Sequence, residues 1–203
     1  MVEIGLFPLE LVLLPGEQLP LHVFEPRYRE LIGECLEGRQ EFGLVLSDES
    51  GMREVGTTAA VIEVLERFDD GRLNIVVEGR DRFRLLEETE GRSFRTARIS
   101  PLGDDLEEPT LEETRRCLTA YRRLAEAAGT AAGEPESEAD RLSYWIAAQV
   151  DFGAEIKQQL LELCSERELT VKLAELLDRA RDAVRFARTA RERAATNGRV
   201  EPP

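Results

Sequence analysis

Five consecutive residues, Phe24-Glu25-Pro26-Arg27-Tyr28, gather an aromatic ring, a carboxylate, a guanidinium and a phenol, the groups a ligand clamp would use. A structural role competes with that reading. Pro26 suits the first turn of a helix, where its missing N–H is no loss. Phe24 would then staple the helix start, Tyr28 would enter the core, and Glu25 or Arg27 would form a local ion pair. A second set is Arg80, Arg82 and Arg84, which alternate with Phe83 and Leu85. A period of two places the three guanidinia on one face of a strand. Such a face is either a strip for an acidic or carboxylate ligand or a salt-bridged surface against an acidic background. Trp145, the only tryptophan, shares an apolar helical stripe with Leu142 and Ile146. Core packing is the expectation there, and an exposed anchor is the alternative.

Catalytic chemistry finds little to work with. His22 is the only histidine and has no identifiable nucleophile or acid partner, so a strand residue bonded to backbone is expected. Asp69-Asp70 and Glu87-Glu88 are adjacent in sequence, and adjacent strand residues point to opposite faces. Cys35, Cys117 and Cys164 are scattered, with no CxxC pair, which fits neither a zinc site nor a disulfide framework and suits a reducing compartment. Lys157 and Lys172, the only lysines, lie on helical stretches without a motif serine nearby. No catalytic residue, cofactor or metal site is expected.

The elements that must position these groups fall in two halves. Residues 1–100 read as β-rich, with apolar runs at Leu11–Leu14, Leu19–Val23, Phe42–Leu46, Ala59–Leu65, Leu73–Val77, Phe83–Leu86 and Phe94–Ile99. Asp70-Gly71 is a hairpin signal, and Gly79 inside a long apolar stretch suggests a bulge or bend. One helix interrupts this region. It starts at Pro26, stops at Gly38 and shows an apolar face at Tyr28, Leu31, Ile32, Cys35 and Leu36. Residues 101–109 form a polar, proline-bounded linker. Residues 110–203 read as helical, with helix starts at Thr110-x-x-Glu113, Ser137-x-x-Asp140 and Ser165-x-x-Glu168. The last helix repeats Leu169, Leu173, Leu176, Ala180, Ala183 and Ala187 like a short coiled-coil seam, then runs into an arginine-rich tail from Arg179 to Arg199.

Composition narrows the function classes. With 203 residues the chain can bury its own core, and a net charge of −14 opposes nonspecific contact with nucleic acid or anionic membrane. No apolar run is long enough to span a bilayer, and the N-terminus lacks the basic start of a signal peptide. A cytoplasmic location follows as the expectation.

Four segments in order resemble the N-terminal, substrate-binding domain of Lon proteases, which also occurs as a free-standing protein. They are Leu6-Phe7-Pro8-Leu9 with Leu13-Leu14-Pro15-Gly16; Leu19-Pro20-Leu21 with Phe24-Glu25-Pro26-Arg27-Tyr28; Phe42-Gly43-Leu44-Val45 with Val55-Gly56-Thr57-Thr58-Ala59; and Asp70-Gly71-Arg72-Leu73-Asn74-Ile75 with Glu78-Gly79-Arg80-Asp81-Arg82-Phe83-Arg84. Ile156–Glu162 and Leu173–Leu177 in the helical half also fit. The resemblance implies an α+β fold: a PUA-like β pseudo-barrel with one inserted helix, followed by a C-terminal helical bundle ending in a long helix. It implies a non-enzymatic module that binds unfolded or exposed polypeptide segments, or one dedicated protein partner. No GxxxxGK[ST] phosphate loop and no Ser–Lys protease domain is present, so neither ATP-driven unfolding nor peptide cleavage carries over. Binding of RNA or of a small molecule by the PUA-like barrel is the alternative, and the acidic charge speaks against RNA. Pairing with a second copy through the C-terminal helix is left open. Phe24, Glu25, Arg27, Tyr28, Arg80, Arg82, Arg84 and Trp145 are the candidate contacts.

Overall fold

The computed structural model describes residues 2–90, 92–103, 105, 107–134 and 142–197. Seven strands form one sheet: β1 (Val2–Leu9), β2 (Gln18–Val23), β3 (Phe42–Asp48), β4 (Gly51–Met52), β5 (Val55–Arg67), β6 (Leu73–Thr89) and β7 (Thr96–Pro101). The order runs β1-β7-β6-β5-β3-β4, and β1 also pairs in parallel with β3, from Leu6↔Gly43 to Leu9↔Leu46. That pairing closes β1, β7, β6, β5 and β3 into a ring, and every other ladder is antiparallel. The helices are α1 (Pro26–Gly38), α2 (Leu111–Ala128), α3 (Leu142–Ala148), α4 (Ala154–Glu162) and α5 (Glu166–Asn197). The fold is therefore the α+β pseudo-barrel, with a long C-terminal helix, that the resemblance implied.

The two apolar runs at 73–77 and 83–86 belong to a single 17-residue strand, β6, which pairs with β2, β5 and β7. Register shifts bend the sheet, as bulges do: the extra residue lies on β6 between Gly79 and Arg82, and on β5 at Val61/Glu63 and Val64/Glu66. The Asp70-Gly71 hairpin forms, with Gly71 at φ 85° and the Asp70 carboxylate accepting from the Arg72 backbone N–H. Leu11–Leu14, which reads as a strand, is instead a buried loop: Val12, Leu13 and Leu14 are all in the core. Its polar backbone is met by side chains and neighbours. Thr57 Oγ1 donates to the Leu13 carbonyl at 2.6 Å, and Glu17 accepts from Leu14 N at 3.0 Å. A buried apolar run thus needs no ladder when such groups replace it.

The main core joins α1 to the inside of the ring. Tyr28, Leu31, Ile32 and Cys35 pack with Phe7, Phe42, Leu44, Ile75 and Val77. Leu6, beside Phe7 on β1, points the other way into a smaller cluster with Val45, Phe83, Ala97 and Ile99. The αL residue that ends α1 is Arg39, at φ 50°, one position beyond the expected Gly38 stop.

Burial pushes the Cys35 thiol up to about 11, with the Glu34 charge adding to it. Burial likewise pushes Cys117 up to about 12, helped by Glu166. Cys164 is half-buried. A thiol reagent at pH 8 should therefore modify Cys164 well before Cys35 and Cys117, which should wait for unfolding. Release of three fast equivalents from the folded protein would contradict this packing. The two raised values also set a pH window. The folded chain keeps protons that the unfolded chain loses above an ordinary thiol value of 9.0, so their contribution is complete below that value and is lost as pH rises towards 11–12. The urea midpoint should fall between pH 9 and 11.

The chain divides into two compact units. The first comprises Met1–Asp105 with Ala139–Cys164; the second comprises Leu106–Glu138 with Ser165–Pro203. From sequence, residues 1–100 and 110–203 are set apart by a linker at 101–109; in the present division α3 and α4 count with the strands. In the second unit α2 starts on the expected capping box, with Glu113 N donating to Thr110 Oγ1 and Thr110 N to the Glu113 carboxylate. Its face Cys117, Ala120, Tyr121, Leu124, Ala125 is buried, as are Leu169, Leu173, Ala174 and Leu177 of α5. Of the seam positions along α5, Leu169 and Leu173 are buried, Leu176 and Ala180 are half-buried, and Ala183 and Ala187 are exposed. The Ser137-x-x-Asp140 helix start and the chain after Asn197 lie outside the described residues.

Candidate functional site

Within the first unit, α4 carries the polar residues that fasten it to the strands. Lys157 pairs with Glu17 at 2.5 Å, Gln158 Nε2 donates to the Val55 carbonyl at 3.1 Å, and Glu155 pairs with Arg53 at 3.1 Å. Arg82 completes the attachment from the other side. It is only 2% exposed and donates to the Leu161 carbonyl at 2.8 Å, to the Leu163 carbonyl, and to the Gly103 carbonyl at 3.4 Å.

The arginine strip is therefore interrupted. Arg80 and Arg84 are exposed and paired with Glu78 at 2.5 Å and Glu54 at 3.4 Å, while Arg82 between them is covered by the end of α4. The Phe24–Tyr28 cluster is divided in the same way. Tyr28 is buried and stacks on Phe7 at 4.1 Å, and burial raises its pKa. Glu25 stands at the N-cap of α1, its carboxylate pairing with Arg27 at 2.7 Å and making no cap bond, and the Arg27 guanidinium lies over the Tyr28 ring. Phe24 remains outside, 59% exposed. It stacks on His22 at 5.8 Å, and His22 meets Phe68 edge-on at 6.1 Å. His22 itself bonds the Asn74 side chain at 2.6 Å rather than backbone. Trp145 is half-buried on α3, between the buried Tyr144 and Ile146.

A pronounced concavity of this unit lies elsewhere. A cleft of about 870 Å³ opens along the start of β1. Its apolar lining includes Val2, Ile4, Leu31, Cys35, Phe94, Ile99 and Leu102, and its polar lining includes Glu3, Gln40 and Glu41. Arg92, over the Phe94 ring and paired with Glu34 of α1, sits at the same cleft. β1 explains why the cleft exists. Residues Val2–Gly5 pair with β7 on one edge, while the β3 ladder begins only at Leu6. Among the described residues, the second edge of Val2–Gly5 therefore has no ladder partner. Gly5 lets α1 pack closely over the face of β1: a Cβ there would sit 2.3 Å from Leu31 Cδ1. An apolar trough beside an unpaired strand edge can take an extended peptide, with backbone bonding along the edge and alternate side chains in the trough. Of the sequence-level candidates, only Arg82 lines this cleft. The free edge itself left no signal in the sequence, because it depends on where the β3 pairing starts.

The fold has known counterparts. The Lon N-terminal domain protein of Xanthomonas campestris superposes with a TM-score of 0.67 at 24% identity, covering 85% of this chain and 97% of that one. The N-terminal domain of Mycobacterium avium complex Lon protease superposes with a TM-score of 0.64 at 16% identity, over 87% and 98%. In sequence, the chain is 30% identical over 195 residues to the Lon protease of Anaeromyxobacter dehalogenans and 28% over 191 residues to that of Paraburkholderia phytofirmans. It spans 23% of the length of each. Among the described residues, no helix is long and apolar enough to cross a membrane. Residues 3–179 match the ATP-dependent protease La (LON) substrate-binding domain, and the chain belongs to that family.

Proposed function

We propose that this chain is a non-enzymatic recognition module of the cytoplasm that takes up exposed apolar segments of other polypeptides in extended form, along the free edge of β1. The apolar cleft beside Val2–Gly5 is the observation that carries the reading. Family membership supports it through the domain's name, which specifies substrate binding. Recognition of this kind is weak and tolerant of sequence, since the strand edge reads backbone and the trough reads only size and apolarity. No GxxxxGK[ST] sequence occurs in the 203 residues, so the binding step needs no nucleotide from this chain.

The test is fluorescence anisotropy of a labelled, permanently unfolded polypeptide, such as reduced and carboxymethylated α-lactalbumin, titrated with the full chain without ATP. Saturable binding is expected. Val2 is 61% exposed, so Val2→Asp should leave the unfolding free energy within about 0.5 kcal/mol of the parent while weakening binding about tenfold. Phe24→Asp serves as the comparison. If it weakens binding and Val2→Asp does not, the His22–Phe24–Phe68 cluster is the recognition surface instead. No binding at high concentration would overturn the function itself.

A further inference from the structure

The second unit carries a feature that polypeptide binding at the β1 cleft does not use. Along α2 and α5 a groove of about 610 Å³ is lined by Arg123, Glu126 and Ala127 on one side and Arg181, Arg185, Arg188 and Thr189 on the other. A smaller groove of about 330 Å³ shares Arg123 and adds Arg115 and Arg116, with Glu112 and Asp178 at its wall. This concentration is unusual in a chain with 41 acidic against 27 basic residues. Arginines of the first unit are mostly neutralised locally: Arg53, Arg80, Arg84, Arg95 and Arg98 each face a carboxylate. In the groove, Arg181 is held by Asp178 and Asp182, each at 2.8 Å. Arg123 and Arg185 make no ion pair among the described residues, and neither do Arg115 and Arg116. Among the described residues, Arg123 on α2 and Arg185 on α5 thus present exposed guanidinia without an ion pair in one channel, beside a single carboxylate of its lining, Glu126.

We propose that this groove binds a short, carboxylate-rich polypeptide segment. The guanidinium fork matches a carboxylate in a bidentate way, and a channel of such forks reads a run of Asp and Glu. From Arg181 to Arg188, seven residues of helix span about 10 Å, the length of about three extended peptide residues. Nucleic acid fits less well. None of the groove residues is aromatic, so unstacked bases would find no platform, and the net charge of −14 repels a longer phosphate backbone. The groove lies on α2 and α5 alone, so this surface stands or falls independently of the cleft on β1.

The experiment titrates the full chain against a fluorescent peptide of about eight Asp and Glu residues, and against the matched Asn and Gln peptide, at low salt. Binding of the acidic peptide only is expected, with loss as salt rises to about 0.5 M. Arg123→Glu together with Arg185→Glu should weaken it at least about tenfold without lowering the unfolding midpoint, because both side chains are exposed. The same reversal at Arg39 and Arg67, which are exposed and not among the groove residues, controls for the change in net charge and should weaken binding less than the groove reversal. Equal binding of both peptides, indifference to the Arg123 and Arg185 changes, or tighter binding of an RNA oligonucleotide of similar length would overturn the proposal.

Discussion

Gly79→Ala should lower stability by about 3 kcal/mol, far more than an exposed glycine-to-alanine change. Gly79 sits in the middle of β6, and the loop Leu14–Glu17 lies directly upon it. Gly16 N donates to the Gly79 carbonyl at 2.9 Å, and Gly79 N donates to the Glu17 carbonyl at 3.0 Å. A Cβ at this position would lie 2.2 Å from the Leu14 carbonyl oxygen and 3.2 Å from Leu13 Cγ. The obstacle is backbone, held down by Leu13 and Leu14 in the core, so it cannot swing away as a side chain end would. Either β6 or the loop must move, and with the loop goes the Thr57 bond to Leu13. Gly33→Ala is the matched control. It lies inside α1 with nothing within 4 Å of its added Cβ, and it should be neutral or stabilising by up to about 1 kcal/mol. Urea unfolding followed by the fluorescence of Trp145 reads both. A Gly79→Ala protein with the parent midpoint would mean that Leu14–Glu17 does not rest on β6.

Gly79 also marks how far a sequence discloses this fold. Its interruption of an apolar run was legible as a bend, and the strands, α1 and the capping box of α2 follow from equally local signals. What presses on Gly79 was not legible, since Leu14 is 65 positions away and belongs to a run that reads as a strand. The same limit applied to α4. Its apolar residues announce a helix, but Lys157 finds Glu17 across 140 positions and Gln158 finds Val55 across 103. Nothing local separates such polar residues from a solvated face. The candidate sites suffered most. Alternation put Arg80, Arg82 and Arg84 on one face, but it could not say that the end of α4 covers the middle one. The β1 edge and the groove on α2 and α5 both depend on which elements meet, and no single segment encodes that.

Arg82 itself yields the other large expected effect. Arg82→Met keeps most of the apolar stem and removes every donor, and it should cost about 3–5 kcal/mol. The guanidinium closes the C-terminal end of α4, where the last carbonyls of a helix lack intrahelical partners. Leu161 and Leu163 offer two such carbonyls, and Leu161 is buried, so water does not readily replace the lost donor. An unsatisfied buried acceptor costs about 1–3 kcal/mol, and the three acceptors now share one donor group. Arg80→Met and Arg84→Met remove exposed ion pairs from the same strand and should each cost less than about 1 kcal/mol. Arg82→Lys should fall between, because an ammonium can reach one carbonyl but cannot span three. Hydrogen exchange adds a readout that a general loss of stability would not give. Amides of α4 should lose protection in Arg82→Met under conditions where those of β5 and β6 keep theirs, since α4 would detach while the ring of strands stays closed. Equal losses for all three methionine variants would mean that Arg82 does not hold α4 to the barrel.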